Sequence, residues 1–303
     1  MARQYKRVYE LTIVPPDGEA RVIKDLRVNF EITKSILSFP NLAKIVIYNP
    51  NKDTLAALQK KFTKVTMNVG YEGDVRLLFK GELRNVFQSK FGVDRIITVY
   101  AGDGQRDWQN AVFNKTFTEN VSIRAVMNEV LKTFKGLTIG TIEGLPDIAD
   151  KLRGQSLSGS SSDIMDQFAE QYGFDWSIQD EELIIVPFEE PLQGAEAALI
   201  NAATGMIGSP SLTLQSGIPS KEGVNVSQYG VDVTTLLNPR LLPNRSFKIE
   251  SLSLDVQIGN LLFTKVNKTT AEGLYKIQEV TFKGDSREGD WLSMVKGRSL
   301  DNA

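Results

Sequence analysis

The chain has 303 residues, of which 41% are hydrophobic and 24% charged, with a formal net charge of −2; this is the composition of an ordinary globular protein with room for two or three domains and an ample core. It contains no cysteine and no histidine, which excludes disulfides, thiolate and imidazole metal sites, and every nucleophilic or general-base mechanism built on histidine. No run approaches the roughly 18 apolar residues of a membrane span, and no apolar stretch follows the charged residues 1–7, so neither a transmembrane helix nor a signal peptide is expected.

Residues 5–14 read as a strand ending at Pro15-Pro16-Asp17-Gly18, where proline presets φ and glycine accepts a positive one. Leu26, Val28, Phe30 and Ile32 alternate at period two, and Ile45 and Ile47 mark a third strand ended by Asn49-Pro50. A short helix follows, with Leu55, Leu58 and Phe62 on one face and Asn51 or Asp53 as its cap. Val65, Met67, Val69 and Tyr71 alternate, Glu72-Gly73-Asp74 turns, and residues 75–80 return. Gly81 is expected to break the chain before a strand over 83–88, and a last strand over 93–100 ends at Gly102-Asp103-Gly104. Six or seven short strands with one helix over residues 1–103 predict a small antiparallel β-barrel.

Residues 104–190 change character. Residues 108–117 are expected to add a strand. Ile123, Val126, Met127, Val130, Leu131 and Phe134 fit one helical face, stopped by Gly136. Residues 154–162 read as a Gly/Ser-rich loop, with Ser160 and Ser162 able to cap a second helix that carries Ile164, Phe168 and Tyr172 and stops at Gly173. A hairpin then pairs residues 174–178 with 183–186 across Asp180-Glu181-Glu182. Two helices on a small sheet make an α+β insert.

Residues 191–207 read as linker with a possible short helix, ended by Gly208-Ser209-Pro210. The rest is strand and turn, so residues 191–303 predict a second β-barrel preceded by the linker. The fold class is therefore mainly β with an α+β insert: two small antiparallel barrels flanking a two-helix segment. Leu77-Leu78-Phe79-Lys80-Gly81-Glu82 and Val280-Thr281-Phe282-Lys283-Gly284-Asp285 form a short pseudo-repeat, each copy expected to end a strand. Charge divides along the same boundaries. Residues 1–103 carry a net +6, residues 104–190 a net −8, and residues 191–303 balance. This fits either solvated faces or complementary surfaces that meet within or between chains.

Several chemistries fail on their own residues. Gly154 and Gly159 have the spacing of a phosphate loop, but Ser160 stands where its lysine belongs. Ser286 has no histidine base. Glu181-Glu182 and Glu189-Glu190 read as solvated charge rather than as paired catalytic carboxylates. Asp285, Glu288 and Asp290 are a weak cation cluster. Trp108, Trp176 and Trp291 read as core or interface anchors. No metal and no cofactor is expected. The basic residues are scattered along strands without aromatic interleaving, so no specific nucleic-acid site is expected either.

Three motifs carry a resemblance: Gly230-Val231-Asp232-Val233-Thr234-Thr235-Leu236-Leu237-Asn238-Pro239, then Gly273-Leu274-Tyr275-Lys276-Ile277, then Lys283-Gly284-Asp285-Ser286-Arg287-Glu288-Gly289-Asp290-Trp291. Together they resemble the C-terminal part of baseplate central hub proteins of contractile-tail bacteriophages, whose barrel fold is shared with type VI secretion spike proteins. The resemblance implies two barrels per chain and a structural, non-enzymatic subunit of a contractile injection system. That subunit would be a homotrimer adapting a six-fold tail tube to a three-fold central spike. Its partners would be the tail tube protein, the central spike protein, the tape measure protein and other baseplate proteins. It would be made in the host bacterial cytoplasm and located in the virion tail baseplate. The alternative is a tail-associated, carboxylate-dependent peptidoglycan hydrolase. The candidate interface residues are Asn260, Leu261, Leu262 and Phe263 in one loop, which extends to Lys265, and Asp285, Arg287, Glu288, Asp290 and Trp291 in another.

Overall fold

A computed structural model describes residues 6–144, 154–218, 226–251, 255–256 and 271–300. It is 54% strand and 15% helix with four helices, a mainly β protein with an α+β insert.

The first half is built on period-two burial. Strand β1 (Arg7–Val14) turns Tyr9, Leu11 and Ile13 inward, and β3 (Val28–Ser35) does the same with Val28, Phe30 and Ile32. Between them lies β2 (Arg21–Ile23), a three-residue strand too short to show a period. β4 (Leu42–Tyr48) leads to helix α1 (Lys52–Leu58), whose cap is Asn51, with its side chain accepting from the Thr54 N–H at 2.7 Å. The helix stops one turn earlier than its apolar spacing suggests. Thr63 Oγ1 donates to the carbonyls of Ala57 and Lys60, and Phe62 sits at φ 61°, exposed, instead of on the core face. β5 (Lys64–Tyr71), β6 (Asp74–Phe91) and β7 (Asp94–Gly102) complete the half. Gly81 does not break β6, which runs unbroken for 18 residues. The glycine serves close packing instead: a Cβ there would lie 2.5 Å from the Gly102 carbonyl oxygen.

The insert has its own core around Val126, Met127, Met165, Phe174 and Trp176. The expected strand at Trp108 is instead a short helix, α2 (Gln105–Asn110), followed by β8 (Val112–Phe117). α3 (Ile123–Leu131) buries the face read from its spacing, and β9 (Thr138–Ile142) follows. The Gly/Ser-rich stretch is not a loop. It is strand β10 (Gln155–Ser160), which pairs with β8 along six residues, because small polar side chains suit an exposed strand whose ladder supplies the order. α4 (Ser161–Tyr172) ends at Gly173 in the left-handed region. β11 (Phe174–Gln179) and β12 (Glu182–Pro187) form the expected hairpin, with β9 parallel to β12.

In the second half, β13 (Ala198–Ile200) and a single 3-10 turn (Ala202–Thr204) replace the linker. β14 (Met206–Ile218) runs through Gly208-Ser209-Pro210, absorbing them as an irregularity between Ile207 and Ser211. β15 (Val226–Leu236), β16 (Ser246–Ile249), β17 (Asp255–Val256), β18 (Gly273–Asp285) and β19 (Trp291–Ser299) follow.

Both halves share one strand order. The first reads β3-β4-β7-β6-β5-β1 and the second β14-β15-β19-β18-β16-β13, the same chain-order permutation, with β2 and β17 as additions. One pairing differs: β1–β5 is antiparallel and β13–β16 parallel. The match extends to single residues. β6 leaves β5 at Glu82, shifts register between Leu83 and Asn85, and ends at Phe91. β18 leaves β16 at Lys276, shifts between Ile277 and Glu279, and ends at Asp285, the same offset at every point. The short pseudo-repeat does not obey this offset. Phe79-Lys80-Gly81 lies beside β5 and Phe282-Lys283-Gly284 lies beside β3, so that likeness is unrelated to the topological one.

The halves are joined by hydrogen bonds. β3 pairs antiparallel with residues 279–285 of β18, making one 14-stranded sheet among the described residues and one hydrophobic core. Gly284 is fitted to this seam: a Cβ would sit 2.3 Å from Phe30 Cζ and 2.8 Å from Trp291 Cε3. Gly284→Ala is expected to lower stability by about 2 kcal/mol, since neither ring can retreat within a packed core; urea unfolding measures it, and an unchanged midpoint would contradict the fit.

Candidate assembly interface

The loop joining β18 to β19 was expected to face a partner. Asp285 opens it and is buried. Its carboxylate accepts from Arg27 Nη2 at 2.8 Å and Nε at 3.2 Å, and from the backbone N–H groups of Arg287 and Glu288 at 2.9 and 3.2 Å. Burial raises its pKa, but these donors outweigh burial and hold it below the usual carboxylate range. Arg7 donates to the carbonyls of Asp285 and Gly289, and Arg287 donates to the carbonyl of Asp25. Trp291 is buried edge-on against Phe30, with ring centroids 5.4 Å apart. The loop is thus tied to the first half of its own chain. Asp285 and Trp291 hold the seam, while Arg287, Glu288 and Asp290 stay exposed. Asn260, Leu261, Leu262, Phe263 and Lys265 lie outside the described residues. No group of three or more metal-ligating side chains comes together among the described residues, and no described helix is long and apolar enough to cross a membrane.

Sequence reasoning missed a second polar cluster, at the β11–β12 turn. Asp180 and Glu181 both adopt positive φ there, the geometry of a tight two-residue hairpin turn. The tip is not solvated: it is docked on the first half. Lys34 of β3 is 0% exposed and meets Asp180 at 2.6 Å, and Glu181 bridges Lys64 and Lys80 at 2.8 Å each. The backbone N–H groups of Asp180 and Glu181 both donate to Asp103, which follows β7. Asn41 donates to the Ile178 carbonyl at 2.7 Å and to Gln179 at 3.0 Å. The basic first segment and the acidic insert therefore meet within one chain.

The same hairpin also grips the second half. Lys276 of β18, 0% exposed, donates to Asp175 of β11 at 2.8 Å and to the carbonyls of Pro187 and Phe188 at 2.8 and 3.2 Å. All three ammonium protons are placed. Burial pushes Lys276 down and Asp175 up from their ordinary values. The signal for both amines was weak in the sequence: Lys34 continues the inward face of Val28, Phe30 and Ile32, whereas Lys276, between Tyr275 and Ile277, takes the face that alternation assigns to solvent and the insert covers.

No protein-family model matches the chain, and no curated protein sequence matches it. Solved structures do. The chain is similar to the 43 kDa tail protein of prophage MuSo2 from Shewanella oneidensis, at 11% identity and TM-score 0.62, covering 97% of this chain and 99% of that one. It is similar to a tail protein from Neisseria meningitidis MC58, at 8% identity and TM-score 0.59, covering 96% of each. It is also similar to an Escherichia coli component of the type VI secretion system, described as structurally similar to T4 bacteriophage tail proteins, at 10% identity and TM-score 0.60, covering 95% of this chain and 76% of that one. The fold is that of phage tail proteins and of a type VI secretion component, as the C-terminal motifs implied.

Two outcomes test the docked hairpin. Lys34→Met leaves Asp180 and Asp103 without their buried cation and is expected to cost about 3 kcal/mol. Lys64→Met, at a side chain 48% exposed, is expected to cost under about 1 kcal/mol; equal losses in chemical denaturation would contradict the distinction. Burial, with Asp180 nearby, raises Asp103 to about 7, against the opposing pull of the two backbone N–H groups and Lys34. The folded chain then keeps a proton that the unfolded chain releases, so stability falls as pH rises from about 4 to about 7. Asp103→Asn is expected to make that slope shallower, read from unfolding free energies across the window, whatever its absolute cost.

Proposed function

We propose that the chain is a structural subunit of a phage-type tail baseplate hub, acting as a homotrimer in the virion after synthesis in the host cytoplasm. The observation that carries this reading is end-to-end likeness of fold to tail proteins. The shared strand order supports it further. Two like halves per chain, three chains per ring, present six like surfaces to a six-fold tail tube and three-fold surfaces to a central spike. Tape measure and other baseplate proteins are the remaining partners of this assignment. The chemistry is binding without catalysis. The chain has no histidine or cysteine, and of the hairpin pair Glu181-Glu182, Glu181 is spent on two lysines while Glu182 is exposed.

The expected result is a light-scattering mass three times that of the chain at micromolar concentration, and a closed ring by electron microscopy. The same preparation is expected to leave peptidoglycan turbidity unchanged. Clearing of peptidoglycan, abolished by a carboxylate substitution, would overturn the structural reading in favour of the hydrolase. A single-chain mass would overturn the self-assembling trimer.

A further inference from the structure

The equivalence of the two halves predicts where one chain meets the next. Within the chain, residues 279–285 of β18 present one edge to β19 and the other to β3. Their counterparts in the first half are residues 85–91 of β6. These present one edge to β7, and among the described residues no strand lies on the other, because β5 ends its pairing at Glu82. β3 is taken up by β18; its own counterpart is β14. Among the described residues, the outer edge of β14 carries only the two-residue β17, at Ser211 and Leu212. Among the described residues the chain thus makes one half–half seam internally and leaves both strands of a second one unpaired with each other.

The open edge has the character of a buried one. Phe87 is 58% exposed, Phe91 79% and Val93, in the turn, 95%; the last two are the most exposed large apolar side chains among the described residues. Residues 85–91 contain no proline or glycine and one charge, Lys90. Natural edge strands of that length are normally blunted by charge, proline or brevity, and this composition is prone to strand addition. At its start lies a cleft of about 550 Å³ lined by Leu83 to Val86, Lys61 and Arg106.

We infer that residues 85–91 of β6 take up β14 of a second copy of this chain, in antiparallel pairing, as β18 takes up β3 within the chain. The incoming edge replaces the two-residue β17 pairing. The interface is heterologous, each copy giving β14 to one neighbour and β6 to the other. Such an arrangement closes into a ring when the rotation per copy allows and otherwise grows without end. Register carries over from the internal seam. Thr281 faces Thr33 there, with the hydroxyls 3.2 Å apart. Following the matching ladders, Phe87 stands for Thr281 and Thr213 for Thr33. This inference rests on the homotrimer reading and goes beyond it by naming the strands.

The test uses the full chain, whose lack of cysteine makes disulfide trapping clean. Phe87→Cys with Thr213→Cys places two thiols at an interchain cross-strand position, within the Cα separation a disulfide needs. Oxidation is expected to give covalent dimers and trimers that reduction removes, and neither single variant gives them. Phe91→Asp, at an exposed site that leaves the core untouched, is expected to reduce the light-scattering mass from three chains to one with the circular dichroism spectrum unchanged. A threefold mass that survives Phe91→Asp, with no interchain disulfide, overturns the strand assignment and leaves the homotrimer standing. A single-chain mass for the parent protein overturns both.

Discussion

Everything in this fold hangs on the seam where β3 meets β18. Each half alone is an open sheet with a long apolar edge, and small β domains bury too little surface to leave such an edge uncovered. Pairing seven residues of β18 with β3 lets the apolar face of one sheet continue into the other as a single core. The insert then acts as a rivet across that seam. Its β11–β12 hairpin places Asp180 on Lys34 of β3 and Asp175 on Lys276 of β18. A buried ion pair adds little net stability, because desolvation offsets most of the Coulomb attraction. What it does is make one arrangement far better than its neighbours. A seam shifted by one residue would leave each ammonium buried without its carboxylate.

The first half of the chain and the second carry the same strand order with almost no likeness in sequence. Physical chemistry asks only that inward positions be apolar and that the ladder be satisfied. Val86 opposite Val99 and Val280 opposite Val295 meet that demand in both halves. Elsewhere the requirement differs. Phe282 is buried where β18 pairs with β3, whereas its counterpart Gln88, beside whose free edge no strand lies among the described residues, is exposed. The halves have diverged where their neighbours differ, which is the pattern expected if each position answers to local burial alone.

The alternating strands were legible because half-burial writes itself into the chain at period two. The helix over Ile123–Leu131 was legible because its apolar spacing is unbroken and Ser122 caps it. Glycine misled the reading twice in one direction. Gly81 and Gly208 lie inside β6 and β14: a glycine can end a strand, but inside one it marks close approach or a register irregularity, and nothing local separates the two cases. The Gly/Ser stretch before α4 lacked the apolar alternation of a strand because β10 pairs only with β8 and leaves several side chains in solvent. The charge division between residues 1–103 and 104–190 allowed the insert to dock on the first half, but not which side chains meet. Adjacent acids at a hairpin tip look solvated until the opposing lysines, more than a hundred positions away, are brought beside them.

The loop over residues 285–291 is held by the first half of its own chain through Asp285 and Trp291, while Arg287, Glu288 and Asp290 stay exposed. The seam needs its acid, glycine and tryptophan: Asp285 orders the turn and binds Arg27, Gly284 admits Phe30, and Trp291 packs against that ring. A junction between chains that copied this one in detail would need the same residues. The β6 end lacks those residues, and carries exposed phenylalanines in their place. Covalent connection explains the difference. Within a chain the two edges are held at high effective concentration, and the seam can be precise, polar and charged. Between chains the same edge must first capture its partner from solution, and exposed apolar surface is the interaction that can drive association before the ladder of hydrogen bonds is complete.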